Sequence, residues 1–273
     1  MNAYKAFFIA ATLLSASTTA RASQNVQIGV YRPSEGNWYV DSNGNNRWDG
    51  VQNGDNIFIW GGGSGDWPVV LAGATTGNCS KARIAVVAPG GEWWVDINDG
   101  TPVPFQFGTH NPIPVPLPFQ PGVTPPSPMN QAFAYDNGTW ECQTQICNIP
   151  GPFGSPGDLP LFGVWNPQAS QFKAIGTWSP SRHSFFLDFN ADSQWDSGDV
   201  TYDKFGQSGD LPITGDFNSG HAGDEIGVFR KGEWLLDLNG DGVLDNGDLT
   251  IPNFGQAGDI PVVAPRWAAI CIQ

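Results

Sequence analysis

The sequence predicts an all-β fold, a β-propeller of five four-stranded antiparallel blades, and three observations carry that prediction. Glycine and proline supply 35 and 23 of the 273 residues, and they are the two poorest helix formers. Yet 40% of the chain is hydrophobic and 12% aromatic, enough to build a core and to argue against disorder. Above all, one segment recurs five times, and tandem units of about 50 residues with four short strands each are the mark of propeller blades.

The chain opens on a different kind of segment. Lys5 precedes an apolar run from Ala6 to Leu14, and Ala20-Arg21-Ala22 places small residues where a signal peptidase cuts. These are the three parts of a secretory signal peptide, and the apolar run is too short to span a membrane. The expectation is cleavage near Ala22, a single domain over 23–273 and an exported protein, extracellular or periplasmic, with no membrane insertion. A formal charge of −14 excludes nucleic acid and anionic lipid surfaces as partners, since phosphates are held by basic patches.

Each repeat is fixed by three landmarks. The first is a short apolar strand: IGVYR, IAVVA, AFAYD, IGTWS and IGVFR. A turn followed by an aromatic comes next, at Trp38, Trp93, Trp140, Phe185 and Trp234. Last comes an aromatic–glycine pair ahead of a GDxP-like turn, at Trp60, Phe107, Phe153, Phe205 and Phe254. The landmarks place repeats at about 26–72, 82–122, 131–166, 172–217 and 224–267. In the last, four strands are expected over Ile226–Arg230, Glu233–Leu238, Leu249–Phe254 and Ile260–Ala264, with Gly, Asp, Asn and Pro at the joints. An irregular β-sandwich would not need landmarks at this period, and an open solenoid would need polar capping repeats. Between the second and third repeats, Pro114, Pro116 and Pro118 alternate with apolar residues as in an edge strand, and the rest of 112–128 reads as a polyproline spacer.

Export permits disulfides. Cys142 and Cys147 are spaced for a bridge across a hairpin end; the alternative, half of a zinc site, lacks a second ligand pair nearby. Cys79 would then pair with Cys271. These two stand at nearly equivalent points of repeats one and five, so their bridge is expected to help close the ring, contributing about 4 kcal/mol through chain entropy.

Much of the negative charge falls in one place, the hairpin after the second strand. DSNGNNRWD, DFNADSQWD and DLNGDGVLD carry oxygen side chains at positions 1, 3, 5 and 9: Asp41, Asn43, Asn45 and Asp49; Asp188, Asn190, Asp192 and Asp196; Asp237, Asn239, Asp241 and Asp245. Position 7 would add a backbone carbonyl from Arg47, Gln194 or Val243. Hard oxygens curled about one centre suit Ca²⁺ better than Mg²⁺, which wants fewer protein ligands in stricter octahedral geometry. Without a cation the carboxylates repel one another. A weaker fourth candidate, DFNSGHAGD, offers Asp216, Asn218 and Asp224. Repeat two keeps only Asp96 and Asn98, and in repeat three the Cys142–Cys147 hairpin takes the place of the loop.

IGVFRKGEWLLDLNGDG, FGQAGDIP and GDFN resemble the FG-GAP/VCBS-type repeats of secreted bacterial proteins, related to the integrin α-chain propeller. The resemblance spans nearly all of the chain beyond Ala22 and is strongest from Ile175 to Pro261. It implies a calcium-stabilised propeller used in adhesion or ligand binding. Two departures stand out: such propellers usually have seven blades, and their calcium loop commonly lies in the GDFDGDG segment, which survives here only at Asp216.

Catalysis has little support in the sequence. His110, His183 and His221 fit no metal-hydrolase pattern, GGSGD around Ser64 lacks the last glycine of a nucleophile elbow, and Glu35, Glu141 and Glu225 have no diagnostic partner. Paired carboxylates leave a polysaccharide hydrolase or lyase as the enzymatic alternative. Binding is easier to motivate. Trp48, Trp195 and Trp67 stand in loops or turns, where an aromatic face bordered by Asp and Asn suits a sugar ring, unless each packs against a neighbouring blade. The expectation is a non-enzymatic recognition or adhesion module for an extracellular glycan or surface protein.

Overall fold

The computed structural model describes residues 26–71, 83–96, 102–108, 113–115, 133–142, 152–170 and 174–264. Its elements are nearly all strands. In chain order they are β1 (Gln27–Arg32), β2 (Asn37–Val40), β3 (Asn56–Ile59), β4 (Trp67–Leu71), β5 (Arg83–Ala88), β6 (Glu92–Asp96), β7 (Pro102–Gln106), β8 (Ile113–Val115), β9 (Phe133–Asp136) and β10 (Thr139–Cys142). They continue as β11 (Leu159–Gly163), β12 (Ala174–Ser179), β13 (Ser184–Leu187), β14 (Val200–Tyr202), β15 (Leu211–Gly215), β16 (Glu225–Arg230), β17 (Glu233–Leu236), β18 (Leu249–Ile251) and β19 (Ile260–Ala264).

These strands form five antiparallel sheets: β19-β1-β2-β3, β4-β5-β6-β7, β8-β9-β10, β11-β12-β13-β14 and β15-β16-β17-β18. The first strand of each sheet contacts the first strands of its two neighbours, in the cyclic order β19, β4, β8, β11, β15 and back to β19. The molecule is therefore a five-bladed β-propeller, numbered here as blades 1 to 5 in the order of those sheets. Blade 3 shows three strands among the described residues.

One expectation is corrected. The fourth strand of each sequence repeat is the innermost strand of the following blade, so repeat and blade are offset by one strand. The last repeat's β19 crosses to blade 1 and pairs with β1, from Gln27 opposite Ala264 to Tyr31 opposite Ile260. Hydrogen bonding between the two ends of the chain thus closes the ring. Cys79, Cys147 and Cys271 lie outside the described residues. Cys142 is disulfide-bonded.

The repeat landmarks are the parts that hold a blade together. Trp38, Trp93 and Trp234 are fully buried, and Trp140 nearly so. Each donates its indole N–H to the carbonyl of the aromatic that ends its own repeat: Trp60 at 2.9 Å, Phe107 at 3.1 Å, Phe153 at 2.9 Å and Phe254 at 2.9 Å. An aromatic must fill the core there, and tryptophan also satisfies a carbonyl that the turn would leave bare. Phe185 fills the position in blade 4 without that bond. The glycine after the aromatic has a positive φ throughout, as at Gly206 (114°) and Gly255 (104°), a region closed to most side chains. The Asp of each GDxP turn caps its own turn by accepting the N–H three residues back, at 2.7 to 3.0 Å for Asp66, Asp158, Asp210 and Asp259. Cores also run between blades: Ile28 and Val30 of blade 1 pack with Phe229 and Trp234 of blade 5.

Antiparallel order assigns the connections to two faces. The loops from third to fourth strand share one face with the loops from first to second strand. The tight second-to-third-strand hairpins and the GDxP connections lie on the other.

Candidate metal-binding loops

The three acidic segments occupy one structural position, between the third and fourth strands of blades 1, 4 and 5, and they share one backbone. Position 4 has a positive φ at Gly44 (74°), Ala191 (62°) and Gly240 (73°). So does position 6, at Asn46 (61°), Ser193 (64°) and Gly242 (71°). The first aspartate is buried in every case and organises the curl. Asp41 accepts from the N–H groups of Gly44, Asn45 and Asn46 at 2.8, 3.1 and 2.6 Å. Asp188 accepts from Asp192 and Ser193 at 3.1 and 2.9 Å, and Asp237 from Gly240 and Gly242 at 2.7 and 2.8 Å. The position-3 asparagine carbonyl accepts the position-5 N–H in all three, at 3.0 to 3.1 Å.

On the open side of each curl, acids meet amide groups. Asn43 and Asn45 donate to the two oxygens of Asp49 at 3.3 and 2.9 Å. Asn190 donates to Asp192 and Asp196, both at 3.3 Å, and Asn239 to Asp241 at 3.0 Å. Arg47 and Gln194 are exposed at position 7, while the Val243 backbone is bridged to Lys204. Among the described residues, no three His, Cys, Asp or Glu side chains converge closely enough to form a metal cage.

A further acid belongs to each loop and falls outside the positions 1 to 9 that the sequence motif singles out. Asp199 and Asp248, at position 12, accept the N–H of Asp196 and Asp245 with one oxygen, both at 2.8 Å. With the other they accept that of Phe189 and Leu238, at 2.9 and 3.2 Å. In blade 1 the 3₁₀ turn Val51–Asn53 lengthens the loop, and Asp55 takes the same role by accepting the Asp49 N–H at 2.9 Å. Its other oxygen is buried and has no hydrogen-bond partner. The signal was present, because a 1-3-5-7-9-12 spacing of oxygen donors is that of EF-hand-type calcium loops.

The electrostatics follow from crowding like charges in a partly dry place. Burial, reinforced by the Asp199 and Asp192 carboxylates, pushes Asp188 up to about 6. Asp41, Asp237, Asp248 and Asp55 are raised as well, chiefly by burial, with neighbouring acids adding to it. Asp49 is lowered, first by its bond from Asn45.

The connector between the first two strands of blade 5 is built differently. Asp224 accepts the Val164 N–H at 2.7 Å, tying it to blade 4. Asn218 donates to the Leu238 carbonyl at 2.9 Å, and Asp216 has a buried oxygen. What organises this segment is Glu225, fully buried, which accepts from the N–H groups of Phe217 and Asn218 at 2.7 and 3.2 Å and lies 3.0 Å from His221 Nδ1. Burial pushes Glu225 up to about 8, with Asp216 and Asp224 adding to the effect. The sequence offered no partner for Glu225; the loop's fold supplies one. Beside this pair, a cavity of about 260 Å³ opens between blades 4 and 5, walled by Trp165, Phe189 and Tyr202.

The three candidate ligand-binding tryptophans are not brought together. Trp48 packs edge-on against Tyr39 and against Phe254 of the neighbouring blade, with centroids at 5.3 and 6.3 Å. Trp195 makes the equivalent contacts to Phe186 at 5.3 Å and Phe153 at 5.8 Å. Both rings wedge between blades, although Trp195 stays 46% exposed. Trp67 begins β4, on the opposite face. The chain matches no family model, no curated protein and no solved structure significantly.

Proposed function

We propose that this propeller is an exported, calcium-stabilised recognition or adhesion module, without catalytic activity of its own. The observation that supports it is the threefold recurrence of one acid-lined loop with one backbone. Ordinary Asx turns would not need acids at positions 1 and 9 together with a following acid, at position 12 in blades 4 and 5 and at Asp55 in blade 1. The donor chemistry fits a hard cation. Blade 1 leaves an Asp55 oxygen without a donor, and the raised acids of all three loops carry like-charge repulsion that a divalent ion would relieve. Asp41, Asp49 and Asp55, with Asn43 and Asn45, would hold the ion in blade 1. Asp188, Asn190, Asp192, Asp196 and Asp199 would do so in blade 4, and Asp237, Asn239, Asp241, Asp245 and Asp248 in blade 5. The ion supplies charge neutralisation and loop stiffness, and the chain positions its own rim.

Calcium-dependent melting tests the ion: Ca²⁺ should raise the melting temperature, a chelator should reverse it, and Mg²⁺ should not substitute. An unchanged curve removes the ion from the reading. The recognition role is tested on a glycan array run beside a turnover assay on the same sugars, with binding that leaves the sugar intact as the expected result. The Glu225–His221 pair beside its aromatic cavity favours a second reading, a polysaccharide hydrolase or lyase. Released reducing ends or unsaturated products, lost in Glu225→Gln, would establish that reading instead.

A further inference from the structure

Blades 1, 4 and 5 each hold an arginine on the aspartate of a GDxP turn. In blade 1, Arg32 Nε and a terminal nitrogen meet the two oxygens of Asp259 at 2.8 and 2.9 Å, and the guanidinium lies 4.4 Å from the Tyr39 ring centroid. In blade 5, Arg230 grips Asp210 in the same two-pronged way, both bonds at 2.8 Å. In blade 4, Arg182 comes from the adjoining hairpin, reaches Asp158 at 3.3 Å and lies 4.1 Å from the Phe186 ring centroid.

Blade 2 has the cradle and lacks the arginine. Strand register makes the equivalence explicit: Tyr31 pairs with Ile260, Phe229 with Leu211 and Val87 with Trp67, so Ala88 stands where Arg32 and Arg230 stand. Asp66 corresponds to Asp259 and Asp210, and Trp94 to Tyr39 and Phe186. Around the truncated position is a cavity of about 400 Å³ lined by Asp66, Ala88, Trp94, Val86 and Trp60. Asp66 is only 7% exposed, and among the described residues its carboxylate is hydrogen-bonded to the Gly63 N–H, with no cation on it.

We infer that this pocket is a binding site for a guanidinium group supplied from outside the chain. The same carboxylate in two other blades selects arginine by a bidentate fork, which a guanidinium matches and an ammonium does not. An indole is the strongest of the aromatic faces for a cation, and blade 2 carries it where blades 1 and 4 have Tyr and Phe. A buried carboxylate without a counter-charge is costly, so a cationic ligand relieves a penalty that Ala88 leaves standing. The site lies on the face opposite the acidic loops and does not rest on the calcium reading.

Titration of the full chain with agmatine and with a short arginine-containing peptide, followed by tryptophan fluorescence and calorimetry, tests this. Saturable binding is expected below about 10 mM, with citrulline in the same peptide binding at least tenfold more weakly. Ala88→Arg refills the cradle from within and should reduce agmatine affinity at least tenfold while raising the melting temperature. Asp66→Asn keeps an acceptor for Gly63 and removes the charge, and should abolish binding. A peptide tighter than agmatine identifies the ligand as an arginine side chain of a protein, and the reverse order as a small free guanidine. Absence of saturation, an Ala88→Arg variant that binds like the parent, or equal binding of citrulline would overturn the inference.

Discussion

Blades 1 and 2 stand side by side in the ring and follow one plan, yet they differ at almost every position the plan leaves free. Both bury a tryptophan in the third strand and bond its indole to the carbonyl that ends the repeat. Blade 1, however, is assembled from both ends of the chain, carries a full acidic loop and fills its aspartate cradle with Arg32. Blade 2 is contiguous, retains Asp96 and Asn98 of the loop and leaves its cradle open at Ala88. The shared positions are those where backbone geometry dictates the residue. The differing ones face a cavity or solvent, where a ring of five has redundancy enough for one blade to be specialised.

Breaking the closure of blade 1 should have the largest effect. A chain ending at Gln256 lacks β19, which leaves β1 as an unpaired edge and opens the ring. Near-ultraviolet circular dichroism and thermal melting should show loss of the cooperative transition, whereas no strand removed from blade 2 alone would separate the two chain ends. A truncated chain that melts like the parent would mean that side-chain packing, not strand pairing, holds the ring shut.

Next in size is the shared frame. Trp38→Ala and Trp93→Ala should each cost about 3 to 5 kcal/mol, the usual loss for a large core aromatic, read from chemical denaturation. Their near equality is the point, since it would show that the frame is energetically the same in a specialised blade and an unspecialised one. Below that lies the loop. Asp41→Ala should cost about 2.7 kcal/mol more at calcium a hundredfold above its dissociation constant than in chelator, where only its hydrogen bonds to the loop N–H groups are lost. Asp96→Ala should respond to neither.

How much of this was legible in the sequence depends on how local each feature is. The propeller, the buried tryptophans and the three loops could be read because turn glycines and core aromatics recur in short motifs. The offset between repeat and blade could not, because Ile260–Ala264 has the same local pattern whether it pairs with its own repeat or with β1. The twelfth-position acids were in the spacing, but Gly198-Asp199-Val200 and Gly247-Asp248-Leu249 look like the GDxP turns and are hidden by them. The arginine cradles were beyond reach: Arg32 and Asp259 lie 227 residues apart, and although IGVYR, IAVVA and IGVFR align Ala88 with Arg32 and Arg230, only the fold shows that this position faces the aspartate of a GDxP turn. Glu225 and His221 are four residues apart, yet their contact depends on how the connector curls.

The smallest effects concern the cradles, and there the two blades should respond with opposite sign. Arg32→Ala removes the guanidinium from a carboxylate that is almost fully buried and leaves Asp259 with the Gln256 N–H. The loss of a fully buried pair member runs to about 3 to 5 kcal/mol. Arg32 keeps 17% exposure of its side chain, so about 2 kcal/mol is expected here, because water can partly solvate the abandoned charge. Ala88→Arg makes the reverse change in blade 2, placing a guanidinium between Asp66 and the Trp94 ring. It should stabilise by about 1 kcal/mol, since the new side chain gives up rotamer freedom as it gains the ion pair and the cation–π contact. Denaturant midpoints of the two single variants and of the double variant measure both terms, and the separation of the sites predicts simple addition. A destabilised Ala88→Arg would mean that the register equivalence does not carry through to the side chains, and that the blade 2 cavity was shaped for something other than the group its neighbours hold.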